Sequence, residues 1–554
     1  MNGGLIQKSA TLVHVSRTPR TEMKTNTIMP GWKSAKTAEL CRGVAKLLVS
    51  VLCAVTALAA EPTAARPNIL FIFSDDHSCQ SIGAYRTWLS GFIREQNITP
   101  NIDRLADQGA IFDRSFCGNS ICSPSRATVL SGVHTHINGV THLGGSIREG
   151  VWTFPPAMQA AGYQTALIGK WHMGHAPTGF DFYRVLPGQG QYWKPLFNGP
   201  NGVKETVEGY TTDIITEKSI AWLKARDKSR PFVLLTHHKA PHRPWVPPER
   251  YYNLLADVKV PEPPTLFDDY SNRTSSARSQ KMEIGRDMTL ASDLKVLPPD
   301  KAPDRLSPAQ AKAWQAAFKA RNAAFQEAKL EGRELTRWKY QEYMKDYLRC
   351  VKAVDDSVGQ LVAYLKQEGI ETNTVVIYCA DQSFFNGEHG WFDKRWIYEE
   401  SLTMPLIVRW PGVIKPGLRV QQLVQNIDYA PTFMEMAGLR APDSVQGRSL
   451  LPLLRGESPA DWRRSIYYHY YDPGHAVQKH YGLRTERYTL AYFYPVNEWE
   501  LFDLEKDPLQ LRSVHDDPAY TKTLAELKTE LSRLRLLYKD TDAAEPVRPK
   551  RSRP

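Results

Sequence analysis

The sequence predicts an α/β fold, with a large sheet flanked by helices and a smaller C-terminal α+β subdomain of antiparallel sheet plus helix. Three observations predict it. Four short apolar runs each end in a polar cluster, a charged middle stretch carries helical periodicity, and the texture turns aromatic and strand-like after Gly456.

"NILFIFS" leads into Asp75 and Asp76, "TALIG" into Lys170-Trp171-His172, "FVLLT" into "HHKAPH", and "TVVIYCA" into Asp381 and Gln382. Apolar runs without polar alternation suit strands buried on both faces. In open α/β sheets chemistry collects beyond the carboxyl ends of the strands, so clusters at these ends mark a site.

The helices come next. In "YQEYMKDYLRCVKAVDDSVGQLVAYL" the residues Tyr343, Tyr347, Val351, Val354, Val358, Leu361 and Leu365 recur every three or four positions, the stripe of an amphipathic helix, which makes Cys350 a core thiol. "PAQAKAWQAAFKARNAAFQEAKLEGREL" is Ala-rich and charged and reads as a surface helical insertion. Beyond "GRSLLPLLRGESPADWRR" the pieces "SIYYHYY" and "RYTLAYFY" read as strands, and "LAELKTELSRLRLLY" as a closing helix. The expected organisation is an N-terminal extension with signal peptide (1–60), a large domain (61–456), a C-terminal subdomain (457–540) and a disordered basic tail (541–554).

At 554 residues and 42% hydrophobic content the chain can bury a sizeable core. Its net charge of +11 is concentrated at the ends: residues 1–60 hold eight Lys/Arg against two Glu, and "RPKRSRP" adds four cations, leaving about +1 for the body. Global basicity therefore does not call for nucleic acid as a partner, and any anion site must be local. Arg42 and Lys46 precede "LLVSVLCAVTALAA", an apolar run too short to favour a membrane span, and the polar linker "EPTAARP" comes after it. This pattern predicts export to the periplasm or medium with no transmembrane span after cleavage; Met23 and Met29 are alternative starts. Outside that segment five cysteines remain, Cys79, Cys117, Cys122, Cys350 and Cys379. An odd number leaves at least one out of intramolecular disulfides, and Cys122 is the candidate.

In "ICSPSRATVLSG", Ser123 suits an N-cap and Pro124 a first helical position, so a helix is expected to open with Cys122 at its positive end and Arg126 one turn in. That is the outline of a tetrahedral-oxyanion site. The tyrosine-phosphatase loop also joins Cys to Arg, but with five intervening residues where this chain has three. Asp75, Asp76, Asp381 and Gln382 offer only oxygen ligands, which suits a hard divalent cation and not zinc.

"CSPSR" followed by "LSG" resembles the signature of the type I, formylglycine-dependent sulfatases of the alkaline-phosphatase-like superfamily. So do "PNILFIFSDDH", "TPNIDRLADQGAIFDRSF", "GKWHMG", "KAPHRPW", "DQSFFNGEHGWFDKRWIYEESLTMPLIVRWPGVIKPG" and "NIDYAPTFMEMAG", in family order from about Pro67 to about Lys539. The resemblance implies an alkaline-phosphatase-like mixed sheet, and Ca2+ held by Asp75, Asp76, Asp381, Gln382 and the residue made from Cys122. It implies formylglycine (3-oxoalanine) at Cys122, produced by a formylglycine-generating or anaerobic sulfatase-maturating enzyme. In the family one oxygen of the hydrated formylglycine attacks sulfur, and the second lets sulfate leave by elimination. Carried over, Arg126 and Lys170 flank the nucleophile, His172 is the proton acceptor, and Lys394 and His242 hold the sulfate, His242 also serving as general acid. Val133 stands where many members have Arg, and "ADQS" replaces the frequent Ser-Asp-Asn-Gly, with Gln382 still supplying an amide oxygen. For His77, His134, His136, His142, His237 and His238, pocket-lining and structural roles stay equally open.

"SIYYHYYDPGHAVQKHYGLRTERYTL", with Asp393 and Arg395 flanking Lys394, resembles bacterial N-acetylglucosamine-6-O-sulfatases acting on glycosaminoglycan or mucin-type glycans. Asp393 and Arg395 are then sugar-binding, with His475 or His480 reaching in. The alternatives are another sulfated-sugar sulfatase (N-sulfoglucosamine, uronate 2-O-sulfate or algal polysaccharide), a phosphodiesterase or phosphonate hydrolase of the same superfamily, and a non-catalytic sulfated-glycan-binding protein.

Overall fold

In the computed structural model, which describes residues 66–298 and 300–540, the four apolar runs are adjacent parallel strands. The central sheet comprises β1 (Asn68–Ser74), β2 (Ala110–Phe112), β3 (Gln164–Lys170), β4 (Phe182–Leu186), β5 (Leu196–Asn198), β6 (Lys204–Thr206), β7 (Phe232–His237), β8 (Thr374–Ala380), β9 (Leu406–Arg409) and β10 (Leu418–Val420). Its strand order is β10-β2-β9-β8-β1-β7-β3-β4-β5-β6. The run from β8 to β4 is parallel, and β9 and β5 pair antiparallel with its two ends, which makes the sheet mixed.

The run "NILFIFS" lacks alternation because both faces of β1 are covered. Leu70 and Ile72 point into one core with residues of α2 (Thr211–Ala225), α3 (Pro308–Ala328) and α4 (Gly332–Gln367). Ile69, Phe71 and Phe73 point into the opposite core with residues of α1 (Cys122–Ser131) and α5 (Tyr429–Met436). Each such side chain contributes roughly 1.5–3 kcal/mol by leaving water. The α4 stripe lies as the periodicity requires, with every named apolar residue and Cys350 buried. The Ala-rich stretch is not one surface helix. It breaks at Lys329, whose φ of 44° is left-handed, and α3 docks through buried Trp314 and Phe318.

At the C-terminal end, β11 (Ser465–Tyr470), β12 (His480–Thr485), β13 (Tyr488–Phe493) and β14 (Glu498–Asp503) form an antiparallel sheet in sequential order. Its aromatic density serves two cores. Tyr468 and Tyr470 pack on Trp391, Trp396 and Tyr398, while Tyr467 packs on α6 (Thr521–Leu537) with Leu527, Leu531 and Leu534.

Among the described residues all five cysteines are free and buried, and no helix is long and apolar enough to cross a membrane. The expected signal segment and basic tail lie outside the described residues.

Candidate functional site

Sheet register assembles the acidic cluster. Ser74 of β1 is level with Ala380 of β8, so Asp75-Asp76 and Asp381-Gln382 leave the sheet side by side. The Asp76 amide, at a left-handed φ of 68°, donates to Asp381 Oδ1 at 3.1 Å. Asp75, Asp76 and Asp381 are fully buried, with one oxygen of each within 4.8 Å of the others. Burial, with Asp75 next to it, pushes the Asp381 carboxyl up to about 7, and burial raises Asp76 as well. Burial works against the Asp75 carboxylate too, yet Lys170 and Arg126 hold it well below the usual range. Gln382 Nε2 lies 2.5 Å from Asp76 Oδ1 and 2.8 Å from Asp381 Oδ1, leaving the buried Oε1 with no partner. Three crowded carboxylates beside an orphaned amide oxygen fit a hard divalent cation, which would draw that oxygen inward by an amide flip.

The nucleophile candidate sits against this cluster. The helix α1 begins at Cys122 itself, with Ile121 as its N-cap. Ser123 is therefore not the cap. Its hydroxyl is committed elsewhere, donating to the His172 carbonyl at 2.5 Å and accepting from the Gly144 amide at 3.0 Å, which ties α1 to the loop after β3. Cys122 Sγ donates to Asp75 Oδ1 at 3.2 Å. Burial, then Asp75, pushes this thiol up to about 12. Unconverted, it is protonated at neutral pH and a poor nucleophile, despite its place at a helix N-terminus.

Cations surround the pair. Arg126 Nε donates to Asp381 Oδ2 at 3.0 Å, and Nη1 donates to the Lys170 carbonyl at 3.0 Å. Lys170 pairs with Asp75 and donates to Gln189 Oε1 at 2.5 Å. It is delivered by Gly169, where a Cβ would lie 1.8 Å from the His237 carbonyl oxygen and φ is +112°, so only glycine lets β3 close on β7 there. Lys394 Nζ donates to both Asp76 oxygens at 2.6 Å. His172 has a left-handed φ of 58° and a buried Nδ1 without a partner; burial, then Lys170, brings its pKa down to about 2, so the ring is neutral. His242 Nδ1 donates to the Arg243 carbonyl at 2.6 Å, which turns Nε2 to within 3.7 Å of Asp76 Oδ2.

A second polar group adjoins Lys394. Asp393 and Arg395 have left-handed φ values of 83° and 92°. Arg395 Nη1 lies 2.5 Å from Asp393 Oδ1, and His475 Nε2 lies 3.4 Å from Asp393 Oδ2. Despite burial, Arg395 and Lys394 hold the Asp393 carboxyl far below the usual range. Arg243, which the sequence motifs did not single out, completes the group: Nη1 is 3.6 Å from Asp393 Oδ2, and Asp293 braces it at 2.7 Å.

His480 does not join this group. It is fully buried, stacks on Phe493 at 4.7 Å and lies between Tyr468, Tyr470 and Trp396, and burial drives its pKa to about 3. It opposes Tyr470 across the sheet and so shares the core-facing side. Of the six open histidines, five have structural partners: His77 bonds the Tyr378 hydroxyl, His134 and His136 stack near Tyr538, His237 meets the Lys170 carbonyl, and His238 meets Ser357. His142 contacts Thr141. Lys239 was also missed; it is buried beside Lys170, Asp75 and Asp76. Its signals were its place in "HHKAPH", just past the end of β7, and at the head of "KAPHRPW".

The sulfatase family model matches residues 67–439, and the model for the C-terminal part of N-sulphoglucosamine sulphohydrolase matches residues 387–536. An N-acetylglucosamine-6-O-sulfatase of Bacteroides thetaiotaomicron is 42% identical over 87% of this chain and 88% of its own. The solved structure of BT4656 in complex with its substrate D-glucosamine-2-N,6-O-disulfate superposes with a TM-score of 0.83 at 41% identity, covering 87% of this chain and all of that one. A phosphonate monoester hydrolase from Silicibacter pomeroyi shares the fold at a TM-score of 0.64 and 23% identity, over 86% and 96% of the two chains.

Proposed function

The chain belongs to the sulfatase family of sulfuric ester hydrolases, and we propose that it removes the 6-O-sulfate of N-acetylglucosamine in glycosaminoglycan or mucin-type glycans. One observation carries this reading: Lys394 joins the buried Cys122–carboxylate cluster to the Asp393, Arg395 and His475 group, so a sulfate ester and the sugar bearing it have adjoining places. The relative at 42% identity and the solved relative with a 6-O-sulfated glucosamine support the choice of sugar.

Ca2+ is the proposed metal, which Asp75, Asp76, Asp381, Gln382 and the residue made from Cys122 would hold; when bound it would supply Lewis-acid positive charge beyond that of Lys170, Lys394 and Arg126. Cys122 is proposed to be converted by a maturating enzyme to formylglycine, whose hydrate supplies an oxygen nucleophile where the thiol is held protonated. Lys170 and Lys394, whose ammonium groups lie at the cluster against Asp75 and Asp76, would hold the sulfate oxygens. Arg126 fixes Asp381 from the other side. His172, neutral in its buried setting, is the proton acceptor. Burial and Lys394 disfavour a proton on His242 Nε2, and an anionic ester arriving there restores it, which makes His242 the acid for the leaving sugar oxygen. Asp393 accepts from sugar hydroxyls while Arg395 and His475 donate or orient. The N-terminal apolar segment supports export to the periplasm or medium.

The test is sulfate release from N-acetylglucosamine-6-sulfate by protein co-produced with a formylglycine-generating enzyme. Cys122→Ala is expected to lose activity by at least about 10⁴-fold. Equal release by the mutant would refute the nucleophile.

A further inference from the structure

Two of the three lysines around the reacting cluster are claimed by carboxylates, Lys170 by Asp75 and Lys394 by Asp76. Lys239 is different. It is 3% exposed, and among the described residues its side chain makes neither an ion pair nor a hydrogen bond. The backbone fixes its place. Phe73 of β1 opposes His237 of β7, so two residues further on Asp75 and Lys239 leave the sheet together, and the Asp75 amide donates to the Ala240 carbonyl at 3.3 Å. The charges it feels most are those of Lys170, Asp75 and Asp76, all at the reacting end.

A short loop braces this ammonium. It lies over the Tyr192 ring, 4.9 Å from the centroid, and the Tyr192 hydroxyl donates to the His242 carbonyl at 2.6 Å. From the same loop Gln189 accepts from Lys170. Residues Gln189 and Tyr192 thus hold Lys170, Lys239 and His242 in one arrangement. Burial lowers the Lys239 ammonium to about 8, which leaves it protonated at neutral pH. A ring face offsets only part of the cost of burying an unpaired cation. An anion bound in the pocket would offset the rest.

We propose that Lys239 is a sulfate-binding residue, an additional ammonium that holds a non-bridging oxygen of the ester sulfate and then of the released sulfate ion. The assignment rests on the sulfatase reading above and names a residue of that same pocket. Because no carboxylate among the described residues pairs with Lys239, its charge is left for the substrate.

The experiment is calorimetric titration of inorganic sulfate into the matured wild-type chain and Lys239→Met, alongside kcat/KM on N-acetylglucosamine-6-sulfate and thermal melting. The expected result is a sulfate Kd weakened roughly 10-fold or more and a kcat/KM lowered roughly 30-fold or more, the size of a lost charge-assisted bond. The melting temperature should not fall, since an unpaired buried charge has been removed, and Lys239→Arg should recover part of the binding. A purely structural lysine would give the opposite pattern, lower melting with sulfate affinity intact. Sulfate affinity within twofold of wild type in Lys239→Met, or no sulfate binding by the wild-type chain, overturns the assignment. If Lys239→Met does not fold, Lys239→Gln is read by the same criteria. Weakened sulfate binding in a chain that cleaves no sulfated sugar would sink the substrate proposal and leave Lys239 standing.

Discussion

At the proposed reacting end Asp75, Asp381 and Lys170 leave the carboxyl edge of central strands and Arg126 the first turns of α1, whereas the proposed sugar-binding group of Asp393, Arg395 and His475 lies outside the central sheet, with Lys394 between Asp393 and Arg395 linking the two. Asp75, Asp381 and Lys170 are placed by β1, β8 and β3, whose register is set by two packed faces. Asp393, Arg395 and His475 each adopt a left-handed φ and are held by one another and by Arg243. The difference teaches where each property lies. A chemistry common to a family belongs on the rigid sheet, and the choice of substrate belongs where loops can be rebuilt without disturbing it.

The sharpest way to break this comparison is to remove the sugar-end carboxylate. Asp393→Asn is expected to lower kcat/KM on N-acetylglucosamine-6-sulfate by about 100-fold and on a small aryl sulfate by less than about 3-fold, because only the sugar loses a charged hydrogen-bond partner. Steady-state kinetics on the two esters checks it, and parallel losses would merge the two ends into one.

A smaller effect is expected from His480→Phe. Activity on both esters should stay within about twofold, since the ring lies in the aromatic core. Acid stability should rise. The folded pKa of His480 is lowered to about 3. In the unfolded chain histidine titrates near 6.5, so the unfolded state binds the proton first. Stability from the neutral ring is therefore full above pH 6.5 and falls by up to about 1.4 kcal/mol per unit as pH drops toward 3. The phenylalanine variant escapes that loss, which denaturant melts at pH 7 and pH 5 will show; an equal acid loss in both chains would place the ring in contact with solvent.

The reacting end was legible because apolar runs without alternation fix strands, and the end of a strand fixes where the next residues of the chain emerge. The α4 helix was legible for the same kind of reason, a stripe of seven apolar residues that all bury. Other features depend on partners distant in sequence. Ser123 has the composition of a cap, but its hydroxyl is taken by the His172 carbonyl, and α1 begins two residues earlier, at Cys122. His480 lies just past a His-bearing turn, yet its face of the sheet is decided by Tyr470 opposite it. Lys239 and Arg243 look like solvated cations until the Tyr192 ring and Asp293 enclose them. The break between α3 and α4 holds two left-handed residues, Lys329, which helix propensity does not signal, and Gly332, which it does.

The most direct test of the account is regioselectivity. The matured chain should be given glucosamine derivatives sulfated at the 6-oxygen, the 3-oxygen or the nitrogen, and a uronate 2-sulfate, with released sulfate measured for each. The account predicts cleavage of the 6-sulfate with kcat/KM at least about 100-fold above the others, the discrimination expected of a buried polar group matched to one position. Comparable rates at another position, or faster cleavage of the uronate ester, would contradict it.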